Sequence, residues 1–250
     1  MNKQRHSGKM AGRCNQYGFD DYYSNLIKDF SNIDLFEKIE TKEKQIPGGV
    51  ELYGQGSAAD ACYVVLDGWF ALQVYSPEGV RQVLDFAVPG GIFGFRIEAG
   101  KPRRHAAIAL TDAEVLTMSL PKLTELLDRD PRFGRKFCRR MMLAQEFAYA
   151  HLIRTTHGQA KKRLAYLVVE LFLRLRHRLP ATVGESIEWP LTQEIMGEAI
   201  GVTHEHVNRI LRQFRVEEIF LLSNKTLAIL DPGRLCALAD VGESAADAYH

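Results

Sequence analysis

The stretch from 193 to 212, QEIMGEAIGVTHEHVNRILR, constrains the fold more than any other part of the chain. Thr192 and Thr203 each precede apolar residues at helical spacing, and threonine is a favourable helix N-cap. Gly201 lies between the two segments, where a left-handed turn residue is needed and glycine adopts positive φ without a Cβ clash. Gly197 is small enough to let the second helix approach the first closely. We therefore predict two short helices joined by a tight turn, a helix-turn-helix.

The second predicted helix has one apolar face and one polar face. Its apolar residues recur at the spacing that buries one side of a helix, and they are Val207, Ile210, Leu211 and Phe214. The opposite side is left to His204, Glu205, Asn208, Arg209 and Arg212. Arginine pairs bidentately with guanine, glutamate accepts from cytosine N4, and asparagine or histidine serves other base edges. We expect this face, with its cap Thr203, to bind double-stranded DNA in the major groove.

The charge of the chain is nearly balanced but unevenly placed. The formal net charge is +1 over 250 residues, so the chain lacks the global basic field of non-specific nucleic-acid binders. Between Arg154 and Arg178, however, there are seven basic residues and one acidic residue. That segment either meets DNA phosphates or forms a solvated helix face, and the sequence leaves both alternatives open.

Secretion, membrane insertion and disulfide bonding are not predicted. No apolar run approaches the roughly 20 residues of a membrane span, and the polar amino-terminal stretch lacks a hydrophobic signal core. The four cysteines, Cys14, Cys62, Cys138 and Cys236, are far apart and form no CxxC pair. We expect reduced thiols and a cytoplasmic protein with a mobile amino-terminal arm.

Residues 33–95 have the pattern of short strands separated by glycine and proline turns at 77–79 and 89–91. Alternation predicts strands with one buried face, to which we assign Val64, Leu66, Phe70, Leu72 and Val74. A second β stretch covers 105–120, and Pro121 then opens a short helix. Many short strands at regular spacing indicate a β-barrel or jelly-roll-like domain.

A long helix is predicted from Pro131 to about Thr155. Its apolar residues lie around most of the circumference, so the helix must be buried on several sides. Packing one face on the β domain and another on a second copy of the chain satisfies that requirement. We expect Met141 and Ala144 to lie in the contact between copies. A further helix is predicted over 159–178, followed after the helix-turn-helix by a hairpin that turns at 224–225, as in a wing.

This order of parts resembles the Crp/Fnr family of bacterial transcription regulators. The resemblance covers 33–238 and is carried by YVVLDGWFAL, SPEGVRQVLDFAVPGGIFG and the segment Glu205–Leu211. It implies an α+β fold with an amino-terminal arm (1–30), a β-roll sensor domain that is jelly-roll-like and cyclic-nucleotide-binding-like (31–130), a dimerisation helix (131–156), a winged helix-turn-helix domain (157–238) and a tail (239–250). It also implies a homodimer that binds a palindromic operator and contacts RNA polymerase.

The family signature E-x-x-[S/G]-R assigns base contacts to Glu205 and Arg209. This chain departs from the pattern at three places. Asn208 replaces the usual serine or glycine, and His204 stands where the cyclic-AMP receptor has arginine. Glu218 replaces a common glycine ahead of the wing. We expect these departures to change the operator sequence and the entry to the wing, and not the DNA-binding role.

The effector is not predicted. Cyclic-AMP-binding relatives have a G-E pair that holds the ribose and an R-S pair that holds the phosphate. Here Gly94 is followed by Phe95 instead of glutamate, while Arg104 and His105, within Arg103–Ala106, are the candidate phosphate ligands. A turn at the surface is the alternative place for these arginines. Because the ribose-binding glutamate is missing, we expect that cyclic AMP is not the effector.

Other cofactors are not expected either. Fnr-type relatives hold an iron–sulfur cluster with three cysteines of the amino-terminal arm, where this chain has only Cys14. His105 and His151 are available as haem ligands, but a single histidine is more often structural. Cys138 lies among basic residues and is a candidate redox switch; the alternative is a buried cysteine that acts as a small hydrophobic residue.

Two rival functions remain open at this point. An enzyme is disfavoured, because His204 and His206 are two residues apart and project to different sides of a helix, unlike the H-E-x-x-H metal motif. No glycine-rich phosphate loop or G-x-S-x-G elbow is present. The other rival is a ligand-binding regulatory module whose helix-turn-helix makes only protein contacts.

Overall fold

The structure, a computed structural model, describes residues 41–96, 98–157 and 159–241. The described residues form two compact units, 41–149 and 150–241. The predicted arm (1–30), the first residues of the predicted sensor domain and the end of the predicted tail lie outside the described residues.

The first unit is a β-roll followed by a short helix and most of a long helix that continues into the second unit. Two antiparallel four-stranded sheets have the orders β1-β8-β3-β6 and β2-β7-β4-β5. The strands are β1 (Thr41–Ile46), β2 (Glu51–Tyr53), β3 (Ala61–Asp67), β4 (Phe70–Tyr75), β5 (Arg81–Ala87), β6 (Ile92–Phe93), β7 (Ala106–Ala109) and β8 (Ala113–Ser119), and the helices are α1 (Leu120–Arg129) and α2 (Pro131–His157). The predicted β-roll, its short helix and the long helix are therefore present.

Strand β3 is buried on both faces, which corrects the expectation of one buried face. Tyr63 and Val65 pack between the two sheets, as a strand with alternating side chains requires. Cys62 and Val64 point the other way and pack under α1 and α2, together with Phe133. The alternation was predicted correctly, but the helices cover the second face, so Val64 does not share an interior with Phe70.

Helix α2 has two opposite apolar faces. Phe133 and Phe137 of the buried face pack against the sheet. Four other large apolar residues expose 58%, 50%, 59% and 47% of their surface, namely Met142, Tyr149, Leu152 and Ile153. The prediction of a helix that is apolar on several sides is confirmed. Met141 is partly buried against the roll core and Ala144 is exposed, and their place in a contact between copies stays a prediction.

The second unit is built around one helix that is buried on nearly every side. This is α3 (Ala160–Arg176), whose residues 164–173 are all buried. The remaining elements are β9 (Ser186–Glu188), α4 (Gln193–Ile200), α5 (His204–Val216), β10 (Phe220–Ser223), β11 (Thr226–Ile229) and α6 (Pro232–Leu238). The fully buried Trp189 donates its indole N–H to the Met196 sulfur at 3.4 Å, which ties the segment before α4 to that helix.

The basic segment around α3 is paired with acidic residues of the same unit. Lys161 Nζ lies 2.5 Å from a carboxylate oxygen of Glu217, and Lys162 Nζ lies 3.1 Å from one of Asp240. Arg174 pairs with Glu170 one turn earlier on the helix. The alternative of a simple solvated face is therefore wrong, since the central helix of the segment forms the core, whereas contact of the segment with DNA phosphates stays a prediction.

The wing is a two-residue hairpin. Strands β10 and β11 pair antiparallel with Ser223 opposite Thr226. Asn224 and Lys225 between them have φ of 48° and 56°, the left-handed values that a type I′ turn requires. The predicted turn at 224–225 is thus confirmed. Within the described residues, no helix is long and apolar enough to cross a membrane.

Candidate nucleic-acid interface

The two helices of the helix-turn-helix begin as the sequence predicts. The Thr192 side chain accepts from the Ile195 N–H at 3.2 Å, and the Thr203 side chain accepts from the His206 N–H at 3.4 Å. Gly201 ends α4 with φ of 69°. A Cβ at Gly197 would lie 2.5 Å from the Val202 carbonyl oxygen, so only glycine allows the turn backbone to fold onto α4.

The outer face of α5 lines an open groove of about 680 Å³. Glu205 and Arg209 are both exposed and stand one helical turn apart, so they are neighbours on that face. His204 and Arg212 are exposed as well. All four line the groove. The structure thus brings the predicted base-contacting residues together on a surface that solvent reaches.

Glu205 is held in its ionised form. Its carboxylate accepts from the Thr203 hydroxyl and from its own backbone N–H, and both bonds lower the pKa of the carboxyl below its usual range. His204 Nε2 lies 3.1 Å from Glu205 Oε1 and adds to this shift. An ionised Glu205 accepts hydrogen bonds and cannot donate them, which is the behaviour required to contact cytosine N4.

Asn208 is joined to the first helix of the motif. Its Nδ2 donates to Gln193 Oε1 at 3.0 Å, across 15 residues of sequence. Gln193 is the first residue of α4 and lines the same groove as Arg209. The Asn208 side chain, which departs from the family signature, therefore has a hydrogen-bond partner within the domain.

The carboxyl end of α5 is tied to its neighbours through Glu217. The Glu217 carboxylate bridges Lys161 of α3 and Arg234 of α6, at 2.5 and 3.3 Å. Arg234 also donates to the Glu217 backbone carbonyl at 3.0 Å, as cationic groups commonly do at helix carboxyl ends. These contacts restrict the orientation of α5 with respect to the rest of its domain.

The space between the two sheets of the roll is filled by aromatic side chains. Tyr53 and Tyr63 stack with ring centroids 5.6 Å apart, and Phe93 lies 5.5 Å from Tyr63 and 5.1 Å from Phe70. All four residues are buried. The Tyr53 hydroxyl is bonded to His105 Nε2 at 2.8 Å.

Arg103 lies within this cluster, and its guanidinium donates to backbone carbonyls. The residue is 4% exposed. Its Nη1 donates to the Gly94 carbonyl and its Nη2 to the Ala61 carbonyl, both at 2.8 Å, and its guanidinium lies 4.0 Å from the centre of the Tyr53 ring. The backbone of Arg103 is paired with that of Ser57. The two Nη atoms and the backbone of Arg103 are thus held by hydrogen bonds, whereas its buried Nε has no hydrogen-bond partner.

The chain is similar to known regulators in both of its units. The family model of the cyclic nucleotide-binding domain matches residues 43–130, and that of the Crp-like helix-turn-helix domain matches residues 162–238. The transcriptional activator protein Anr of Pseudomonas protegens is 25% identical over 86% of this chain and 87% of its own length. The fumarate and nitrate reduction regulatory protein of Vibrio cholerae is 23% identical over 96% of each chain. The solved structure of FixK2 from Bradyrhizobium japonicum superposes with a TM-score of 0.71 at 25% identity, over 80% of this chain and 98% of that chain.

The chain belongs to the Crp/Fnr family of transcription regulators. As in the family, it combines a β-roll with a DNA-binding helix-turn-helix domain, and the α+β fold predicted from the sequence is confirmed. The base contacts of Glu205 and Arg209 remain a prediction.

The effector residues expected from the family pattern are not brought together. Phe95 packs edge-on against Phe137 of α2, with ring centroids 5.1 Å apart, and so lies outside the space between the sheets. Arg104 is exposed, while Arg103 is buried. Neighbouring residues of an extended segment face opposite sides, so pairing Arg103 with residues 56–59 directs one arginine inward and the next outward. Gly94 and His105 do lie beside the interior cluster, through their bonds to Arg103 and Tyr53.

Sequence reasoning missed two residues of this Crp/Fnr regulator and misjudged a third. Gln193 was not singled out as a site residue, because its link to Asn208 has no signal in the local pattern. Arg103 was expected near the surface, although two adjacent arginines after an extended run already indicate that one of them points inward. Cys138 is exposed, so the alternative of a buried cysteine is wrong.

Proposed function

We propose that this Crp/Fnr regulator binds a palindromic operator as a homodimer, with α5 of each copy in the major groove. The observation that carries the proposal is the exposed pair Glu205 and Arg209 on the groove-lining face of α5. Arg209 bonds guanine O6 and N7 bidentately, and Glu205 accepts from cytosine N4 in the same half-site.

The test is an Arg209→Ala variant on an operator identified by selecting bound genomic fragments. We expect a loss of about 1–3 kcal/mol per half-site on the operator, because a bidentate base contact disappears. On a scrambled duplex the loss is much smaller, since phosphate contacts supply that binding. Arg215→Ala, which removes the same charge from a later turn of α5, is the matched control and leaves the ratio of the two affinities unchanged. An Arg209→Ala protein that prefers the operator over the scrambled duplex as strongly as the parent does would contradict the assignment. A parent protein with equal affinity for the two duplexes would favour a protein-contact role for the helix-turn-helix.

The second copy is proposed to bind through the exposed apolar face of α2. Met142 and Tyr149 are two turns apart on that face and are at least half exposed. A regulator with two reading heads matches an operator with two half-sites. We also propose that the protein contacts RNA polymerase and acts in the cytoplasm, by likeness to its relatives, and that it has no enzymatic activity.

We propose further that the roll does not bind a cyclic nucleotide. The residues present do not fit the ligand: the Arg103 guanidinium is bonded to two carbonyls, and aromatic rings occupy the space between the sheets. A buried arginine loses these bonds if it turns toward a phosphate. We expect no heat of binding in titrations with cyclic AMP or cyclic GMP, whereas binding in the low micromolar range would overturn the proposal. The absence of haem and of an iron–sulfur cluster also stays a prediction, tested by the visible absorption of protein purified without oxygen.

A further inference from the structure

We propose that Asn208 is a positioning residue for Gln193, and that Gln193 donates to a DNA phosphate. Asn208 then aligns the first helix of the motif with the second and does not itself contact a base. This inference rests on the proposed DNA binding and adds to it a residue outside the family signature.

The geometry of the two amides supports this assignment. Asn208 Nδ2 donates to Gln193 Oε1 at 3.0 Å in a partly buried contact. A side-chain amide has its acceptor and its donors at opposite ends. Because Oε1 of Gln193 is engaged by Asn208, the Nε2 donors are the end of that amide that remains for DNA. Without Asn208, either end of the Gln193 amide faces outward.

The position of Gln193 selects phosphate as the partner. Gln193 is the first residue of α4, directly after the cap Thr192. The first N–H groups of a helix have no partner within the helix and favour anions. In a helix-turn-helix, the first helix crosses the DNA backbone while the second enters the major groove. Gln193 lines the groove that Arg209 and Arg212 also line, so the proposed phosphate would bind on a surface that carries cationic side chains.

The Asn208 amide is correspondingly withdrawn from base recognition. One N–H of its Nδ2 donates to Gln193 and the residue is half-buried, whereas Glu205 and Arg209 have exposed side chains on the same helix. The operator base pair nearest Asn208 is therefore expected to tolerate substitution better than those contacted by Glu205 and Arg209.

A double-mutant cycle tests the coupling. Gln193→Ala, Asn208→Ala and the double variant are compared for affinity on operator and scrambled duplexes. We expect Gln193→Ala to weaken binding about tenfold per half-site on both duplexes. Asn208→Ala weakens both less, and the double variant binds like Gln193→Ala alone, because Asn208 acts through Gln193. The dependence of affinity on salt stays that of the parent, since a neutral amide releases no counterion.

Two further variants separate positioning from a general structural effect. Asn208→Asp cannot donate to Oε1 and instead accepts from Nε2, which turns the Gln193 carbonyl oxygen toward the phosphate. We expect it to bind DNA more weakly than Asn208→Ala. Gln193→Arg presents donors in several directions, so we expect Asn208→Ala to cause little further loss of binding in the Gln193→Arg background. A merely structural Asn208 would cause the same loss in both backgrounds.

Three results would overturn the proposal. Losses that multiply in the double variant would show that the two residues act independently. A loss of discrimination at a single base pair in Asn208→Ala would make Asn208 a base-contacting residue. A loss from Asn208→Ala that is as large in the Gln193→Arg background as in the parent would remove the positioning role. Arg209→Ala in the same assay shows whether operator recognition itself holds, so failure of the proposed function is distinguishable, and urea unfolding of each variant checks that the domain is intact.

Discussion

Glu218 adopts a left-handed backbone conformation, which is unfavourable for a residue that carries a Cβ. It follows the C-cap of α5 with φ of 53°, and the Ile219 N–H returns to the Phe214 carbonyl at 3.0 Å while the Glu218 N–H bonds to that of Arg215 at 3.2 Å. This is the Schellman arrangement, in which glycine usually takes the left-handed position. The backbone at Glu218 follows the turn that a glycine would form. The expected change at the entry to the wing is therefore a strained residue and not a different backbone path.

Replacing Glu218 with glycine is therefore expected to stabilise the DNA-binding domain. A left-handed residue with a Cβ costs roughly 1–2 kcal/mol, and part of that gain is offset by the greater freedom of glycine in the unfolded chain. We predict a net increase of about 0.5–1 kcal/mol in the free energy of unfolding, measured by urea denaturation. Asn224→Gly is the control: asparagine tolerates the left-handed region better, so its gain is smaller. Equal gains at both positions would argue against strain at Glu218.

For single residues, the sequence predicts those conformations and contacts that depend on residues nearby in the chain. The caps Thr192 and Thr203 and the glycine turn were predicted from local spacing. Arg103 and Gln193 depend on partners far along the chain, the Ala61 carbonyl and Asn208. Which of two neighbouring arginines turns inward is decided by the strand pairing of their segment, and no local pattern encodes that pairing.

Among the elements, α2 shows both the strength and the limit of a periodicity argument. The apolar circumference predicted two buried faces, and two opposite apolar faces are present. A helix with apolar residues all round does not indicate which of them contact the roll, and Met141 is one of those that do. The exposed face instead follows Cys138, Met142, Gln145 and Tyr149, spaced by four, three and four residues.

Met142→Glu is expected to convert the protein into a monomer. A charged side chain on the exposed apolar face of α2 must lose its hydration if two copies pack there. The free energy of this desolvation exceeds the free energy that the apolar contact contributes. Sedimentation velocity should show a dimer for the parent and a monomer for Met142→Glu. Met141→Glu is the contrasting variant, and it lowers the stability of the roll because Met141 packs against the roll core.

A cross-link gives an independent readout of the same face. Cys138 is exposed on it, and in a parallel two-fold pair the same residue of each copy approaches its mate. A copper–phenanthroline oxidant, which takes up the two electrons released as the disulfide forms, should yield a covalent dimer that Cys138→Ser abolishes. An unmodified protein that sediments as a monomer and does not cross-link would reject dimerisation through α2.

For the whole molecule, two reading heads impose a geometric condition on the DNA. The major-groove helices of a two-fold dimer contact half-sites about 34–36 Å apart, one turn of the duplex. Inserting about five base pairs between the half-sites rotates one of them to the opposite side of the duplex. We predict that binding to the lengthened operator falls to the level of a single half-site, as measured by gel shift at constant salt. Undiminished affinity for the lengthened operator would mean that each copy binds alone.

The exposed apolar face of α2 has a consequence for how the regulator responds in time. If free chains are mostly monomeric at low abundance, the amount of dimer rises as the square of the amount of chain, so doubling the protein raises operator occupancy about fourfold while occupancy is low. If, as proposed, the roll binds no effector, such mass action is a route by which a signal reaches the promoter. Response and recovery would then be set by how fast the chain is synthesised and degraded, and a protease would serve as the off-switch that a dissociating ligand provides elsewhere.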